Sequence, residues 1–405
     1  MNSTKSGAVV TDLTRAHYVQ LDGLRGLAIL LVIVYHFCLT LPSFQTAEVG
    51  PLLQFAQTGW MGVDLFFVLS GFLITNILLE TRTTAHYFRN FLARRFLRIW
   101  PLYYLNLLLF LVLLPLFVGT LPAAIESMQE KQAWFWLYGA NWLFAKEGGF
   151  GHTSGGYFWS LAVEEQFYLV WPFVVYRLSE RTLLRTSLGL LAFSFGLRLF
   201  LAHQGINTNS LYVITFTHLD GLAVGSTLAV CLRNPRLAPV VRRLPPYVAA
   251  AAVLGLVAVR LADGDFFFWS PNMARFGYTL IVLLFGAGLV YALDNRSAFV
   301  TRWLSSRFMT QSGKYSYALY VVHVPIASVV AAITARVLAS HAAALGTIGM
   351  FWIFAVLAFA ASWVISVLSW HLFEKRLLAL KRYFEYRAPS VAPAPIAQAV
   401  DQAPH

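Results

Sequence analysis

The chain has 405 residues, of which 58% are hydrophobic and only 12% are charged, and its mean hydropathy is +0.64. A soluble globular protein carries roughly a quarter of charged residues, so this composition excludes that class and indicates a polytopic membrane protein. The net charge of +12 does not indicate nucleic-acid binding, because the basic residues lie in short loops between apolar segments. The two cysteines, Cys38 and Cys231, predict neither a disulfide framework nor a thiolate metal site.

Ten apolar segments of the chain are long enough to cross about 30 Å of hydrocarbon as α-helices. In chain order they cover residues 21–41, 59–79, 97–118, 158–178, 187–203, 211–231, 247–262, 274–293, 315–335 and 348–372. We therefore predict an all-α fold with a membrane domain of residues 21–378, preceded by a tail of residues 1–20. The Pro- and Ala-rich end, residues 379–405, is predicted to be a disordered tail.

The orientation of these helices follows from the distribution of positive charge. If the chain crosses ten times, most of its 30 lysines and arginines fall on one side, which the positive-inside rule assigns to the cytoplasm together with both termini. The aromatic stretch 133–145 is too short to cross, and a crossing there would turn the later cations outward, so we predict an interfacial or re-entrant segment. The glycine-rich residues 148–156 predict a lid or a linker on the outer side.

The first apolar segment, "LDGLRGLAILLVIVYHF", carries a permanent cation, Arg25, and a titratable imidazole, His36. They are eleven residues apart, which on an α-helix is about 17 Å of rise and within roughly 20° of three full turns. They therefore share one helix face, with Arg25 at the cytoplasmic interface and His36 near the middle of the membrane. Arg25 alone can be a side chain that reaches the lipid headgroups, whereas an ionisable group at mid-depth indicates a functional site.

A second polar cluster lies at the inner end of the third segment, in "RRFLRIWPLYYL". Arg95 and Arg98 are three residues apart and present two guanidiniums on one helix face, at the same membrane depth as Arg25. Guanidiniums bind phosphate oxygens in a bidentate manner, so the pair suits either lipid phosphates or the phosphates of a ligand.

A third polar cluster is a pair of adjacent carboxylates in "WSLAVEEQFYLVWP". Glu164 and Glu165 point about 100° apart on a helix, so one of them at most is expected to face a shared cavity. The depth of the helix predicts that Glu164 lies close to the level of His36. The alternative is a structural ion pair of Glu164 with Arg198 or Arg275.

Four isolated polar residues in apolar segments are further candidates for substrate binding: Asp64, Tyr168, Asp220 and His323. Tyr168 follows Glu164 by one helical turn. Each aspartate can equally be a counter-ion that pairs two helices, and a lone histidine more often satisfies a neighbour than performs chemistry. We predict no metal site.

Taken in order, four motifs resemble those of the acyltransferase 3 family of integral-membrane acyltransferases. They are "LDGLRG" followed by His36, "GVDLFFVLSGFLIT", the Arg-x-x-Arg of Arg95 and Arg98, and "WSLAVEEQFYLVWP", while "YSYALYVVHVP" and "SWHLFEK" fit more loosely. The resemblance spans nearly the whole chain. It departs from the family pattern at His218, where Arg is frequent, and at Arg376, where Pro is frequent.

The resemblance implies an O-acyltransferase of the bacterial inner membrane. Such an enzyme moves an acyl group, usually acetyl, from cytoplasmic acyl-CoA to a hydroxyl of a carbohydrate or glycolipid at the outer face. Acyl-CoA is then a donor co-substrate, and neither a permanently bound cofactor nor a nucleic-acid partner is expected.

The same resemblance implies roles for the polar clusters. His36 would be the catalytic base or a transient acyl carrier, and Glu164 would work near the acceptor. The CoA phosphates would be bound by three arginines, which are Arg25, Arg95 and Arg98.

A proton-coupled secondary transporter of a small polar solute is the alternative function, with His36 and Glu164 as a proton relay. The chain has no repeated halves of the kind that many transporters show, and its cationic cluster faces the nucleotide-bearing compartment. Both observations favour the enzyme.

Overall fold

The computed structural model of the protein describes residues 18–40, 55–151 and 153–386. Within these ranges the chain forms α-helices with short 3₁₀- and π-helical turns and no β-strand, which confirms the predicted all-α class. Helices are expected because hydrocarbon offers no hydrogen bonds, so each backbone N–H and C=O must be satisfied inside its own helix. Most of the two predicted tails, residues 1–17 and 387–405, lies outside the described residues.

Ten helices of 14 residues or more form the bundle in the described part of the chain. They are α1 (Val19–Thr40), α2 (Gly62–Thr81), α3 (Tyr87–Leu108), α4 (Trp159–Arg177), α5 (Glu180–His203), α6 (Asp220–Arg233), α7 (Pro245–Asp263), α8 (Tyr278–Asp294), α9 (Ser316–Val337) and α10 (Ala342–Ser369). Arg25, Arg95 and Arg98 come together at one end of this bundle, which we call the arginine end.

Eight of the ten helices, counted with the helical turns that extend them, are long and apolar enough to cross a membrane. The chain is therefore an integral membrane protein. The other two are α4, which carries two glutamates, and α6, whose 14 residues span about 21 Å, less than the thickness of the hydrocarbon. Ten crossings with both termini in the cytoplasm stays a prediction.

The prediction of one continuous helix over residues 211–231 is wrong. The chain forms a short helix, Thr208–Val213, then a 3₁₀ turn, Thr215–Thr217, and enters α6 only at Asp220. The reason is a buried polar neighbour, because Nη1 of Arg198 donates to the Thr217 carbonyl at 2.5 Å and to Asp220 Oδ2 at 3.0 Å. These hydrogen bonds replace the backbone hydrogen bonds that a continuous helix would form in this stretch.

The centre of the bundle is α2, which packs against α1, α4, α6 and α8. The backbones of α2 and α6 come into contact where each carries a glycine. A Cβ on Gly71 would lie 2.1 Å from the Leu222 oxygen, and a Cβ on Gly225 would lie 2.1 Å from the Val68 oxygen. Such small residues allow the close packing that holds membrane helices together.

Three short helices and a glycine-rich loop join α3 to α4 at the end opposite the arginines. The helices are Ala123–Glu130, Gln132–Trp136 and Ala140–Glu147, and none of them is long enough to cross the membrane. Phe135 is fully buried and its carbonyl accepts from the Tyr103 hydroxyl at 2.7 Å, so this segment packs on α3. The glycine-rich loop is tied back as well, because the Ser154 N–H donates to the Ala124 carbonyl at 2.9 Å.

Helical structure continues beyond residue 378, where the sequence predicts the end of the membrane domain. Helical turns continue α10 to Phe384, and the last turn, Leu380–Phe384, packs on α3. Nη1 of Arg94 donates to the carbonyls of Lys381 and Phe384 at 3.2 and 3.3 Å. Ordered structure therefore extends to residue 386, because Arg94 and Asn90 of α3 provide donors for the terminal carbonyls.

Replacing Gly225 by valine is expected to destabilise the protein by about 1–3 kcal/mol or more, because the new side chain would overlap the α2 backbone and force α6 away. The measurement is the apparent melting temperature of the purified protein in detergent. Gly288→Val is the matched control, since a Cβ there meets no atom within 4 Å. Equal melting temperatures of the two variants would contradict this account of the α2–α6 contact.

Candidate functional site

Two cavities lie at different depths in the bundle and share a wall formed by Val63 and Tyr320. The smaller, of about 120 Å³, we call the arginine cavity, and its polar lining includes Arg25, Ser70, Arg95, Arg98, Glu164 and Tyr168. The larger, of about 740 Å³, we call the histidine cavity, because His36 lines it. Helix α1 thus carries Arg25 into one cavity and His36 into the other, as their shared helix face predicts.

The arginine cavity has an excess of positive charge. Arg98 lies 3.9 Å from Glu374, and Arg25 lies 3.3 Å from Asp22. Arg95 makes no ion pair with any described residue, and its guanidinium instead lies over the Tyr168 ring at 5.8 Å. Its N–H groups are therefore available to an anionic ligand such as a phosphate.

Glu164 also belongs to the arginine cavity. Its Oε1 accepts from the Ser70 hydroxyl at 2.5 Å, and Ser70 in turn accepts from the Tyr168 hydroxyl at 3.1 Å. The structure thus places Tyr168 close to Glu164, as its position one helical turn later predicts. It also adds Ser70, which links the two side chains. This chain of hydroxyls holds one carboxylate among the three arginines.

Glu164 and His36 line different cavities and do not meet at one level as the sequence suggests, while a role of Glu164 near the acceptor stays a prediction. Tyr157 and Trp159, at the start of α4, already line the histidine cavity. The helix therefore begins deep in the bundle, and Glu164 lies about 7 Å further along it, toward the arginine end. An ion pair of Glu164 with Arg198 is excluded as well, because Arg198 pairs with Asp220.

The histidine cavity is lined mainly by apolar and aromatic side chains. Its walls come from α1, α3, α9, the start of α4 and the loop 153–156. The glycine-rich segment is thus more than a linker, because part of it forms a wall of this cavity. An apolar chamber of this size, with few polar groups, is typical of a site for an organic ligand.

The hydrogen bonds around His36 determine which of its nitrogens is free. Nδ1 of His323 lies 2.9 Å from the carbonyls of Leu319 and Tyr320, and carbonyls only accept, so this Nδ1 carries the proton. Nε2 of His323 is then an acceptor, and it lies 3.2 Å from His36 Nδ1. His36 Nδ1 is also 2.9 Å from the Val32 carbonyl, so it carries a proton too.

This network leaves Nε2 of His36 as the unprotonated nitrogen of a neutral ring. No described residue donates a hydrogen bond to it, and the ring lines the cavity. His323, by contrast, is fully buried and does not line the cavity. The ring of His323 lies behind that of His36, and its unprotonated nitrogen orients His36, so these contacts favour a positioning role over the predicted substrate binding.

Asp64 and Asp220 line neither cavity, and their contacts favour the counter-ion alternative over the predicted substrate binding. Oδ1 of Asp64 lies 2.8 Å from Nε2 of His218, and both side chains are fully buried. Asp220 pairs with Arg198, which ties α6 to α5. Adjacent helix residues point about 100° apart, so Asp64 turns away from the cavities that Val63 lines.

Sequence reasoning passed over residues that the fold brings to the two cavities, which are Ser70 and Asn106, and one that it brings near the arginines, which is Lys381. No sequence spacing indicates Ser70 as a site residue, because its partner Glu164 lies on another helix, 94 residues later. Asn106 lines the histidine cavity and is eleven residues after Arg95, the same separation as Arg25 and His36. Lys381 lies within reach of the charges of the cluster arginines, although the prediction assigned it to a disordered tail.

Comparison with known proteins gives one family and several relatives. A sequence model of the family described as the acyltransferase domain matches residues 18–367. The peptidoglycan O-acetyltransferase OatA of Listeria monocytogenes is 29% identical over 330 residues, which is 78% of this chain and 50% of that protein. The O-acetyltransferase OatA of Staphylococcus aureus is 28% identical over 323 residues, 76% of this chain and 50% of that protein.

The chain therefore spans about half the length of the curated relatives that it matches. No solved structure matches it.

Proposed function

We infer the function from the fact that the chain belongs to the acyltransferase domain family, whose model covers most of it. We propose that it is an integral-membrane O-acyltransferase that moves an acetyl group from cytoplasmic acyl-CoA to a carbohydrate hydroxyl at the outer face of the bacterial inner membrane. The observation that carries this proposal is the pair of adjoining cavities, with Arg25 in one and His36 in the other.

The donor binds at the arginine end in this proposal. Arg25, Arg95 and Arg98 hold the phosphates of acyl-CoA, whose nucleotide stays at the cytoplasmic mouth because the arginine cavity is small. Glu164 limits the local positive charge and keeps the site from binding phosphates irreversibly. The acyl end of the donor passes between Val63 and Tyr320 to reach His36, about 17 Å above Arg25.

The reaction at His36 is a direct transfer with general-base catalysis. Nε2 of His36 takes the proton of the acceptor hydroxyl while the hydroxyl oxygen attacks the thioester carbonyl carbon. The C–S bond then breaks, and the departing CoA thiolate takes the proton back from His36, so that an ester and the CoA thiol leave. His323 Nε2 accepts from the Nδ1–H of His36 and stabilises the imidazolium between these two proton transfers.

The acceptor in this proposal is a cell-surface carbohydrate. The names of the two OatA relatives describe one as a peptidoglycan O-acetyltransferase and the other as an O-acetyltransferase, which supports acetyl as the acyl group and a bacterial glycan as the acceptor. The positive-inside distribution supports entry of that glycan from the outer face, opposite the arginines. A proton-coupled transporter is disfavoured, since Glu164 and His36 line different cavities and so form no relay.

Replacing His36 by alanine is expected to abolish acetyl transfer while leaving acetyl-CoA binding intact, because the arginines hold the donor and His36 supplies the base. Transfer is measured with labelled acetyl-CoA and a soluble N-acetylglucosamine oligomer, and binding by calorimetry. His203→Ala, which changes an exposed histidine at the end of α5, is the matched control. Normal transfer by the His36 variant would refute the proposed role.

Replacing both Arg95 and Arg98 by alanine is expected to weaken acetyl-CoA binding at least tenfold, because two phosphate-binding guanidiniums are lost. The matched control is the double variant of Arg181 and Arg185, two exposed arginines near the start of α5. Calorimetry in nanodiscs measures both affinities. Unchanged affinity in the first variant would return Arg95 and Arg98 to the role of lipid anchors.

Replacing His323 by leucine is expected to lower kcat by about 10²- to 10⁴-fold, because His36 loses the acceptor that orients it and stabilises its cation. The Kd for acetyl-CoA should stay unchanged. His323→Gln should recover part of kcat, since its amide oxygen can accept the same hydrogen bond. A rise in KM with an unchanged kcat would show instead that His323 serves substrate binding.

A further inference from the structure

Asn106 is a buried amide that lines the histidine cavity and has no role in the reaction proposed above. It lies in an otherwise apolar stretch of α3, is 6% exposed, and makes no side-chain hydrogen bond with any described residue. An amide without a hydrogen-bond partner in such surroundings is unfavourable for stability. A group maintained at this cost inside a reaction cavity is a candidate for binding the reacting molecule.

The position of Asn106 along α3 matches that of His36 along α1. Both helices carry an arginine in the arginine cavity, Arg25 on α1 and Arg95 on α3. In each helix the polar residue follows its arginine by eleven residues, about 17 Å higher and on the same face. Since the two arginines share one small cavity and both helices lead from it to the histidine cavity, Asn106 and His36 reach similar depths from different helices.

We propose that Asn106 is a catalytic residue whose Nδ2–H donates a hydrogen bond to the acyl carbonyl oxygen as negative charge develops on it. This inference rests on the proposed function, because it places the thioester carbonyl between His36 and Asn106. No proton is transferred from the amide. The hydrogen bond stabilises the tetrahedral intermediate until the C–S bond breaks and the carbonyl re-forms.

The chemistry of the cavity agrees with this assignment. A neutral amide N–H in an apolar chamber stabilises a developing oxyanion strongly, because the low local dielectric strengthens the hydrogen bond. Of the four tyrosines that line this cavity, two have their hydroxyl protons in use, since Tyr157 donates to the Val321 carbonyl at 3.2 Å and Tyr320 to the Tyr157 carbonyl at 2.5 Å. Asn106 lies on α3 and His36 lies on α1. The amide can therefore reach the carbonyl oxygen from a different wall of the cavity than the one that holds the base.

The test compares Asn106→Leu and Asn106→Asp with the unaltered full chain in nanodiscs. Acetyl transfer to a soluble N-acetylglucosamine oligomer gives kcat and KM, calorimetry gives the Kd for acetyl-CoA, and thermal unfolding gives the melting temperature. We expect kcat to fall by about 10²- to 10³-fold in both variants, as for the loss of one oxyanion donor. The Kd should stay unchanged, and Asn106→Leu should keep or raise the melting temperature, because it removes an unpaired amide.

Asn141→Leu is the matched control for stability. The Asn141 amide is fully buried outside the two cavities, donates to Val213 and Thr215, and accepts from Gln166, so its loss should lower the melting temperature. A similar drop in Asn106→Leu would overturn the proposal in favour of a structural role. Weaker acetyl-CoA binding, or an unchanged kcat, would overturn it too.

The outcome also separates this inference from the proposed function. An unaltered chain that transfers acetyl, together with an equally active Asn106→Leu variant, overturns the role of Asn106 alone. An unaltered chain that binds acetyl-CoA but transfers nothing to the oligomer overturns the proposed function and this inference with it.

Discussion

The constraint on which the structure depends is that hydrocarbon cannot hydrogen-bond to the backbone, so the chain crosses it as helices whose rise per residue is fixed. The number of residues between two side chains on such a helix therefore fixes their separation along the helix axis. Eleven residues along α1 separate Arg25 from His36 by about 17 Å, and this single distance carries one polar group to each of the two cavities. The depth of His36 relative to Arg25 therefore follows from covalent spacing along one helix.

The two cavities differ in the chemistry that their walls allow. The arginine cavity gathers three guanidiniums and one hydrogen-bonded carboxylate, and the histidine cavity is mainly apolar around an imidazole that another imidazole orients. Val63 and Tyr320 stand between them. This separation suits a reaction that keeps a charged donor at one surface and performs its chemistry in a dry chamber, where hydrogen bonds are strong.

Other buried polar groups of the bundle serve packing. Arg198 and Asp220 compensate each other in an interior that would strongly disfavour either charge alone, and His218 forms a hydrogen bond with Asp64. These pairs hold the broken helix before α6 against its neighbours. From sequence they look like site residues, because an ionisable side chain in an apolar segment signals function and helix pairing equally. Only the identity of the partner distinguishes the two roles.

The sequence by itself determined the class of the fold, and the separation in depth and the shared face of Arg25 and His36, because these depend on composition and on the regular geometry of a helix. It also determined that Arg95 and Arg98 share one helix face. The tertiary structure decided which groups meet: Glu164 with Ser70, His323 behind His36, and Asn106 facing the histidine cavity. These contacts join residues that are up to 287 positions apart, and they depend on how deep each helix begins and how it packs, which no local pattern encodes.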